Sequence, residues 1–142
     1  MHTNKYIWFV SSIVFFLSLA SIGKAQGTCV IPTLKVQSVK GRVVWRQYGI
    51  PDVTVELRDW NYQNKTLASF LTNEDGNFEF NGVKKGKYLL VIRAESYLGL
   101  DVPIRVEPKT KNKVSMLAIF LARDYSMSPC SEGGAERKDF GH

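Results

Sequence analysis

Histidine is nearly missing from this sequence, and its scarcity excludes several kinds of chemistry. The 142-residue chain has two histidines, His2 near its start and His142 at its end. Histidine is the commonest general base and a frequent metal ligand. Neither an H-x-x-E nor an H-E-x-x-H zinc motif occurs, and no G-x-S-x-G motif is present to carry a serine nucleophile. We therefore expect no catalytic residues, no metal ligands and no cofactor.

The composition also lacks the extremes that mark fibrous, disordered or strongly nucleic-acid-binding chains. It is 44% hydrophobic and 23% charged, which allows one globular domain and excludes a multidomain enzyme. The formal net charge is +6, but no long basic run occurs. The densest basic groups are Lys84, Lys85 and Lys87, and Lys109, Lys111 and Lys113. Both groups lie in turn-like sequence, so we expect solvated loops and no nucleic-acid partner.

The first 25 residues resemble a secretory signal peptide. An apolar stretch, residues 6–20, follows Lys5, and the small residues Gly23 and Ala25 precede a polar segment. This pattern predicts cleavage after Ala25 and a secreted, periplasmic or otherwise extracytoplasmic protein with no stable membrane insertion. Loss of Lys5 and Lys24 would lower the net charge from +6 to +4. The alternative is an uncleaved anchor, because the stretch approaches the ~20 residues that a membrane span needs.

Cysteine is scarce as well, with only Cys29 and Cys130. An even number of cysteines in an exported chain favours a disulfide, here between the two extensions that flank the predicted domain. Free thiols or an intermolecular bridge remain open, because the sequence cannot show how closely the two Cα atoms approach.

Short apolar runs separated by turn sequences dominate the rest of the chain, and no window keeps a helical period. They predict seven strands, near residues 36–45, 53–60, 66–72, 77–81, 87–93, 101–106 and 114–121. Short strands at this spacing are typical of an all-β, two-sheet antiparallel sandwich. Residues 26–35 then form an N-terminal extension, and residues 122–142 form a C-terminal tail.

Alternation along the strands assigns their faces. Val53, Val55 and Leu57 point inward, while Trp60 is one of the outward residues of the same strand. In the last strand, the inward positions leave Met116, Ala118 and Phe120 on the outer face. Three apolar residues on an outer face are unusual for a monomer, so we expect another part of the chain or another protein to cover them. The candidates are the segment 122–130, folded back over them, or a second protein.

Several motifs carry a family resemblance. They are G-x-V at Gly41, G-x-P-x-x-V-x-V-x-L from Gly49, T-x-x-x-G-x-F-x-F from Thr72, and G-x-Y-x-L from Gly86. In this order they resemble the carboxypeptidase regulatory-like domain over residues 36–121. The resemblance implies a seven-stranded antiparallel Greek-key β-sandwich of the transthyretin-like or collagen-adhesin B type. Asn73 departs from the family pattern, which commonly has aspartate there, but asparagine also serves in turns.

The resemblance implies an accessory module rather than an enzyme. Transthyretin-related urate-pathway hydrolases need core histidines, which are missing between His2 and His142. Adhesin B-type domains often form an isopeptide bond from lysine, but Arg42 and Ile92 occupy the approximate positions of the lysine and its assisting acid. A guanidinium, which stays protonated, cannot be the nucleophile.

Exposed aromatic residues are the candidate ligand-binding residues: Trp60, Tyr62 and Tyr48. Tryptophan and tyrosine stack on sugar rings, although such residues also cover sheet edges. The sequence therefore predicts an exported, non-catalytic module with a structural or protein-binding role. A carbohydrate-binding module is the alternative, and a hydrolase is the third choice. The partner is an unknown protein or polysaccharide.

Overall fold

The structure, a computed structural model, describes residues 30–108, 113–126 and 129–141. These residues form an all-β fold with ten strands and one short helix, α1 (Pro129–Glu132). The strands are β1 (Leu34–Val36), β2 (Val39–Trp45), β3 (Tyr48–Gly49), β4 (Thr54–Asp59), β5 (Thr66–Leu71), β6 (Asn77–Phe80), β7 (Gly86–Arg93), β8 (Leu100–Val106), β9 (Lys113–Phe120) and β10 (Gly134–Gly141). The predicted β-sandwich is confirmed.

Two mixed sheets build the sandwich. The first sheet has the strand order β1-β8-β7-β4-β5, and the second has the order β10-β9-β2-β3, with β6 also paired to β2. Two pairs are parallel, β1 with β8 and β2 with β9. The prediction of a wholly antiparallel arrangement is therefore wrong, and β1, β3 and β10 add to the seven expected strands. Parallel pairs arise because chain crossovers between the sheets bring back strands that run in the same direction.

The core lies between the sheets and follows the predicted alternation. The inward residues of all the longer strands except β5 and β10 are buried. They include Val39, Val43, Val53, Val55, Leu57, Phe78, Phe80, Leu90, Ile92, Val102, Ile104, Val106, Leu117, Ile119 and Leu121. Removal of this apolar surface from water is the main force that holds the two sheets together.

The first predicted strand, 36–45, is divided between the two sheets. β1 pairs with β8 in the first sheet, and β2 pairs with β9 in the second. At the break, the backbone N–H of Gln37 donates to Oγ of the buried Ser115, with 3.1 Å between the two atoms. A backbone donor that leaves a strand ladder needs such a partner, because an unpaired buried N–H is costly.

The turn before β6 shows why the T-x-x-x-G-x-F-x-F motif has these residues. Asn73 Oδ1 accepts hydrogen bonds from the backbone N–H of Asp75 at 3.1 Å and of Asn77 at 2.9 Å. Gly76 has a φ of 79°, in the left-handed region that glycine adopts without steric cost. Asparagine thus holds the turn in place of the family's usual aspartate, as expected.

The end of the C-terminal tail extends the second sheet as strand β10. β10 pairs antiparallel with β9, from Gly134 opposite Phe120 to Gly141 opposite Lys113. The Arg137 side chain also donates to the backbone oxygen of Lys35 at 2.9 Å, which links β10 to β1 of the first sheet. Tyr125, in the segment expected to fold back, is 75% exposed. The tail therefore makes the expected extra contact through β10. That residues 122–130 cover the outer face stays a prediction, because residues 127 and 128 lie outside the described ranges.

Some predictions fall on residues outside the described ranges. The signal peptide and its cleavage site lie there, as do Cys29, Lys109 and Lys111. Cys130 lies in α1. Because Cys29 lies outside the described ranges, the predicted pairing of the two cysteines stays a prediction. No helix in the described part of the chain is long and apolar enough to cross a membrane.

Candidate functional sites on the two outer faces

The three predicted aromatic residues lie on two different sheets. Trp60 is half-buried and directly follows β4 in the first sheet, and Tyr62 lies in the turn that comes next. Tyr48 lies on β3 of the second sheet, opposite Trp45 of β2. Tyr62 and Tyr48 are 66% and 63% exposed. The structure therefore brings Trp60 and Tyr62 into one turn but leaves Tyr48 apart from them.

Asp59 holds the turn that carries Trp60 and Tyr62. Its Oδ1 accepts the backbone N–H of Asn61 at 2.8 Å and that of Tyr62 at 3.2 Å. The backbone N–H of Lys65 donates to the carbonyl of Tyr62 at 2.7 Å. Aspartate commonly fixes a turn in this way. The turn thus presents both aromatic side chains at the end of β4.

Trp60 borders a cavity on the outer face of the first sheet, which we call the Trp60 cavity. Its volume is about 280 Å³, and its lining residues are Thr33, Lys35, Trp60, Lys87, Ile104 and Arg105. The Nζ atom of Lys87 lies 5.9 Å from the centroid of the Trp60 ring, within reach of a cation–π interaction. The cavity therefore combines an aromatic wall with three cations.

A larger hollow, the β9 groove, lies on the outer face of the second sheet. Its volume is about 430 Å³. The apolar part of its lining includes Val44, Met116, Ala118 and Phe120, and its polar part consists of Arg42, Arg46, Gln47 and Lys138. Met116, Ala118 and Phe120 of β9 point outward, as the alternation predicted, and are half-buried in this groove. No acidic side chain is among the lining residues.

Each cation of the β9 groove also contacts the protein itself. Arg42 Nε donates to the backbone oxygen of Asp75 at 2.7 Å, and the guanidinium of Arg46 lies 4.7 Å from the centroid of the Trp45 ring. Lys138 Nζ lies 3.3 Å from an oxygen of Glu136. These contacts position the long side chains and lower the entropy that a bound partner would have to remove.

Sequence reasoning missed one aromatic cluster at the end of the sandwich. The Arg123 guanidinium lies 4.7 Å from the centroid of Trp45 and 4.4 Å from that of Tyr97. A β-bridge also joins Tyr97 to Arg123. Residues separated this far in the sequence give no local signal for such a contact. Cation–π stacking of this kind ties the loop after β7 to the segment after β9.

Acidic side chains and thiols do not converge on a metal site in the described ranges. Within them, no group of three or more histidine, cysteine, aspartate or glutamate side chains could hold an ion. Glu74 and Asp75 are neighbours in a turn, but two carboxylates supply too few of the six to eight oxygen ligands that Ca²⁺ takes.

A family model settles what kind of domain this sandwich is. The model of the carboxypeptidase regulatory-like domain matches residues 38–117. The chain belongs to this family. Carboxypeptidase regulatory-like domains are non-catalytic, immunoglobulin-like sandwiches. A comparison with curated proteins finds no match. The matched region spans β2 to the middle of β9, so β1, β10 and the residues that they contribute to the two sites lie beyond it.

Proposed function

We propose that this carboxypeptidase regulatory-like domain is an exported, non-enzymatic module that binds a protein partner through the β9 groove. The observation that carries the proposal is an apolar groove on an outer sheet face with cations around it. The outer face of such a sheet is normally polar, because water covers it. Met116, Ala118 and Phe120 break that rule on three successive outward positions of β9.

The groove is suited to an extended peptide segment. Its length follows β9, and its floor continues onto β2 through Val44, which is 8% exposed. A partner segment with one large apolar or aromatic side chain would bury that side chain against Met116 and Phe120. Burial of this kind supplies most of the affinity of a small interface.

The charges of the groove select the rest of the partner segment. Arg42, Arg46 and Lys138 line the groove, and no acid lines it. Aspartate or glutamate on either side of the apolar anchor would complement these cations. Charge complementarity raises the association rate and disfavours basic segments. We therefore propose a partner with an acidic, apolar-anchored segment.

Selection from a library of displayed peptides tests this proposal. The peptides enriched on the wild-type protein are expected to combine an aromatic or large aliphatic residue with flanking acids. The variant Phe120→Lys places a charge on the groove floor, and Arg46→Glu reverses a charge beside it. Each should weaken the affinity of a selected peptide about tenfold, because it removes an anchor contact or a charge pair.

Lys85→Glu is the matched control, since it makes the same charge reversal in the exposed turn before β7. Its affinity should match that of the wild type at moderate salt. Enrichment of peptides without acids, or equal binding by Phe120→Lys and the wild type, would contradict the proposed groove.

Export is tested separately by the intact mass of the protein recovered from its own host. We expect a species that begins at Gln26, because the pattern before it is that of a signal peptidase site. A mature species that retains residues 1–25 would favour a membrane anchor instead.

Carbohydrate binding is a second candidate function, favoured by one observation. Trp60 borders a cavity at the end of β4, with Tyr62 exposed in the same turn. Tyr48, on the other sheet, does not belong to this site. Aromatic rings that border an open cavity are suited to stacking on sugar rings.

A further inference from the structure

We propose that the Trp60 cavity binds an acidic polysaccharide, a polymer of ring sugars that carry carboxylate groups. The proposal rests on the second candidate function, carbohydrate binding, and names its ligand class. It does not depend on the protein partner proposed for the β9 groove, which lies on the other sheet.

The strand register places three cations in one row across the first sheet. Lys35 of β1 lies opposite Arg105 of β8, and Arg105 lies opposite Lys87 of β7. Trp60 continues the row beyond Lys87, because the preceding residue, Asp59, pairs with Tyr88. All three cations are exposed and alternate with inward-facing neighbours. The row thus crosses three neighbouring strands, about 4.8 Å apart, and ends at an aromatic ring.

This arrangement is unfavourable for folding alone. Like charges directly opposite each other on neighbouring strands destabilise a sheet. Arg105 faces a lysine on each side. Elsewhere on the same face, the sheet pairs its charges: Arg93 with Asp101 at 2.8 Å, and Arg58 with Glu56. The row is the exception to this pairing, which is the expected pattern when a bound anion supplies the missing negative charge.

One acid lies near the row. Glu107 is 4.0 Å from Lys35 Nζ, and this is the only ion pair of the three cations within the described ranges. The pair is exposed and at the limit of contact, so it offsets little of the row's charge. Lys87 and Arg105 are the cations that remain without an acidic partner there.

Trp60 adds the aromatic surface that distinguishes a sugar ring from a simple anion. C–H bonds on one face of a pyranose ring pack against an indole ring, while the carboxylate of the same sugar can reach Lys87 beside that ring. Neighbouring strands are separated by about 4.8 Å, close to the length of one pyranose unit in an extended chain. Carboxylates along such a chain can therefore reach cations of the row.

The same spacing makes a nucleic acid the less suitable ligand. The phosphates of an extended single strand are farther apart than neighbouring β-strands, and a nucleic-acid site usually spreads its cations over a wider surface. The row has one cation on each of three strands and a single half-buried tryptophan. We therefore argue for the polysaccharide and include RNA as a test ligand.

Isothermal titration with oligogalacturonate tests the proposal, with the fully methyl-esterified oligomer as a neutral ligand of the same backbone. The acidic oligomer should bind with an affinity that falls as salt rises, and the ester should bind at least tenfold more weakly. Lys87→Gln and Arg105→Gln should each lower the affinity about tenfold, as expected for a lost charged hydrogen bond. Trp60→Ala should do the same, and Lys85→Gln is the matched control.

Arg105→Gln has a second readout that a purely structural residue would not give. Because it relieves like-charge repulsion, it should leave the melting temperature unchanged or raise it while binding falls. A large drop in melting temperature would assign Arg105 to folding and overturn its role in the site.

The outcomes separate this proposal from its premise. Equal binding of the acidic and esterified oligomers would overturn the acidic ligand but support carbohydrate binding. Binding of neither oligomer would overturn both. Preferential binding of a single-stranded RNA oligomer that requires Arg105 would assign the row to nucleic acid and contradict the proposal.

Discussion

Thr72 shows how much one buried hydroxyl contributes to the fold. Its Oγ1 accepts the backbone N–H of Val53 at 2.9 Å and donates to the carbonyl of Ile50 at 2.7 Å. The side chain is 3% exposed, so water cannot replace either bond. Sequence alone placed this threonine in a motif but could not show that it joins the segment before β4 to the turn before β6.

Replacement of Thr72 by valine, which has almost the same shape, should destabilise the domain by about 2 kcal/mol. The change leaves the N–H of Val53 and the carbonyl of Ile50 without partners, and buried unsatisfied groups cost about 1–3 kcal/mol. Urea unfolding measures the difference. Thr72→Ser keeps the hydroxyl and should lose less than half as much stability, whereas equal losses for the two variants would contradict this explanation.

Gly41 is needed because two strands approach closely. A Cβ at this position would lie 2.3 Å from the backbone oxygen of Leu117 on β9. Gly41→Ala should therefore destabilise the protein by about 2 kcal/mol or more, as overpacked sites do. The same change at Gly134 meets no heavy atom within 4 Å and should be tolerated. Thermal unfolding of the two variants compares them, and similar melting temperatures would refute the close approach.

Among the individual elements, all seven predicted strands are found, and every one of them except the largely exposed β5 buries one face. The missed strands lack that signal. β3 has two residues, too few to show alternation. β10 has the sequence GAERKDFG, and its four consecutive charged residues, 136–139, are all exposed. An edge strand of this kind is protected by its charges, so its sequence resembles a loop.

β10 should contribute to the stability of the domain, and its removal tests this. Removal of residues 134–142 turns β9 into an edge strand and removes the hydrogen bond from Arg137 to Lys35. We expect a lower urea midpoint and a tendency to self-associate, because an exposed edge offers unpaired backbone groups. Removal of His142 alone is the control. An unchanged midpoint in the shorter chain would contradict the contribution of β10.

The same element changes how a truncation after Leu121 should be interpreted. Such a truncation cannot distinguish a tail that covers the outer face from a separate protein partner. It deletes β10, so a loss of stability follows in either case. Variants within the β9 groove, such as Phe120→Lys, address the partner without disturbing the sheet edge.

For the molecule as a whole, the β-sandwich was predictable, but the grouping of distant residues into sites was not. Lys35, Lys87 and Arg105 are distant in the sequence, and only the strand register brings them into one row. Lys87 was grouped with the lysines of a solvated turn but also began the predicted strand 87–93, and it lies in β7. Pairing direction depends on chain crossovers between the sheets, which leave no local pattern. The outward direction of Met116 and Phe120 was predictable because it follows from simple alternation.

The predicted bridge between Cys29 and Cys130 concerns the whole chain, since it would close a loop of about 100 residues. Under oxidising conditions, non-reducing peptide mapping should recover one linked peptide pair. Reduction should then lower the free energy of unfolding by roughly 4 kcal/mol, on the chain-entropy account. Recovery of two alkylatable thiols from protein purified out of its native compartment would contradict the pairing.

The β9 groove, on the outer face of the second sheet, is the surface that we propose for the protein partner. Amide NMR of the protein, titrated with an acidic peptide selected on it, locates the bound peptide residue by residue. We predict that the largest shift changes fall on Val44, Met116, Phe120 and Lys138. Phe120→Lys should need about tenfold more peptide to reach the same shift changes, whereas Lys85→Glu should behave like the wild type. Shift changes centred on the Trp60 cavity or on β5, with the β9 groove unchanged, would overturn the proposed binding surface.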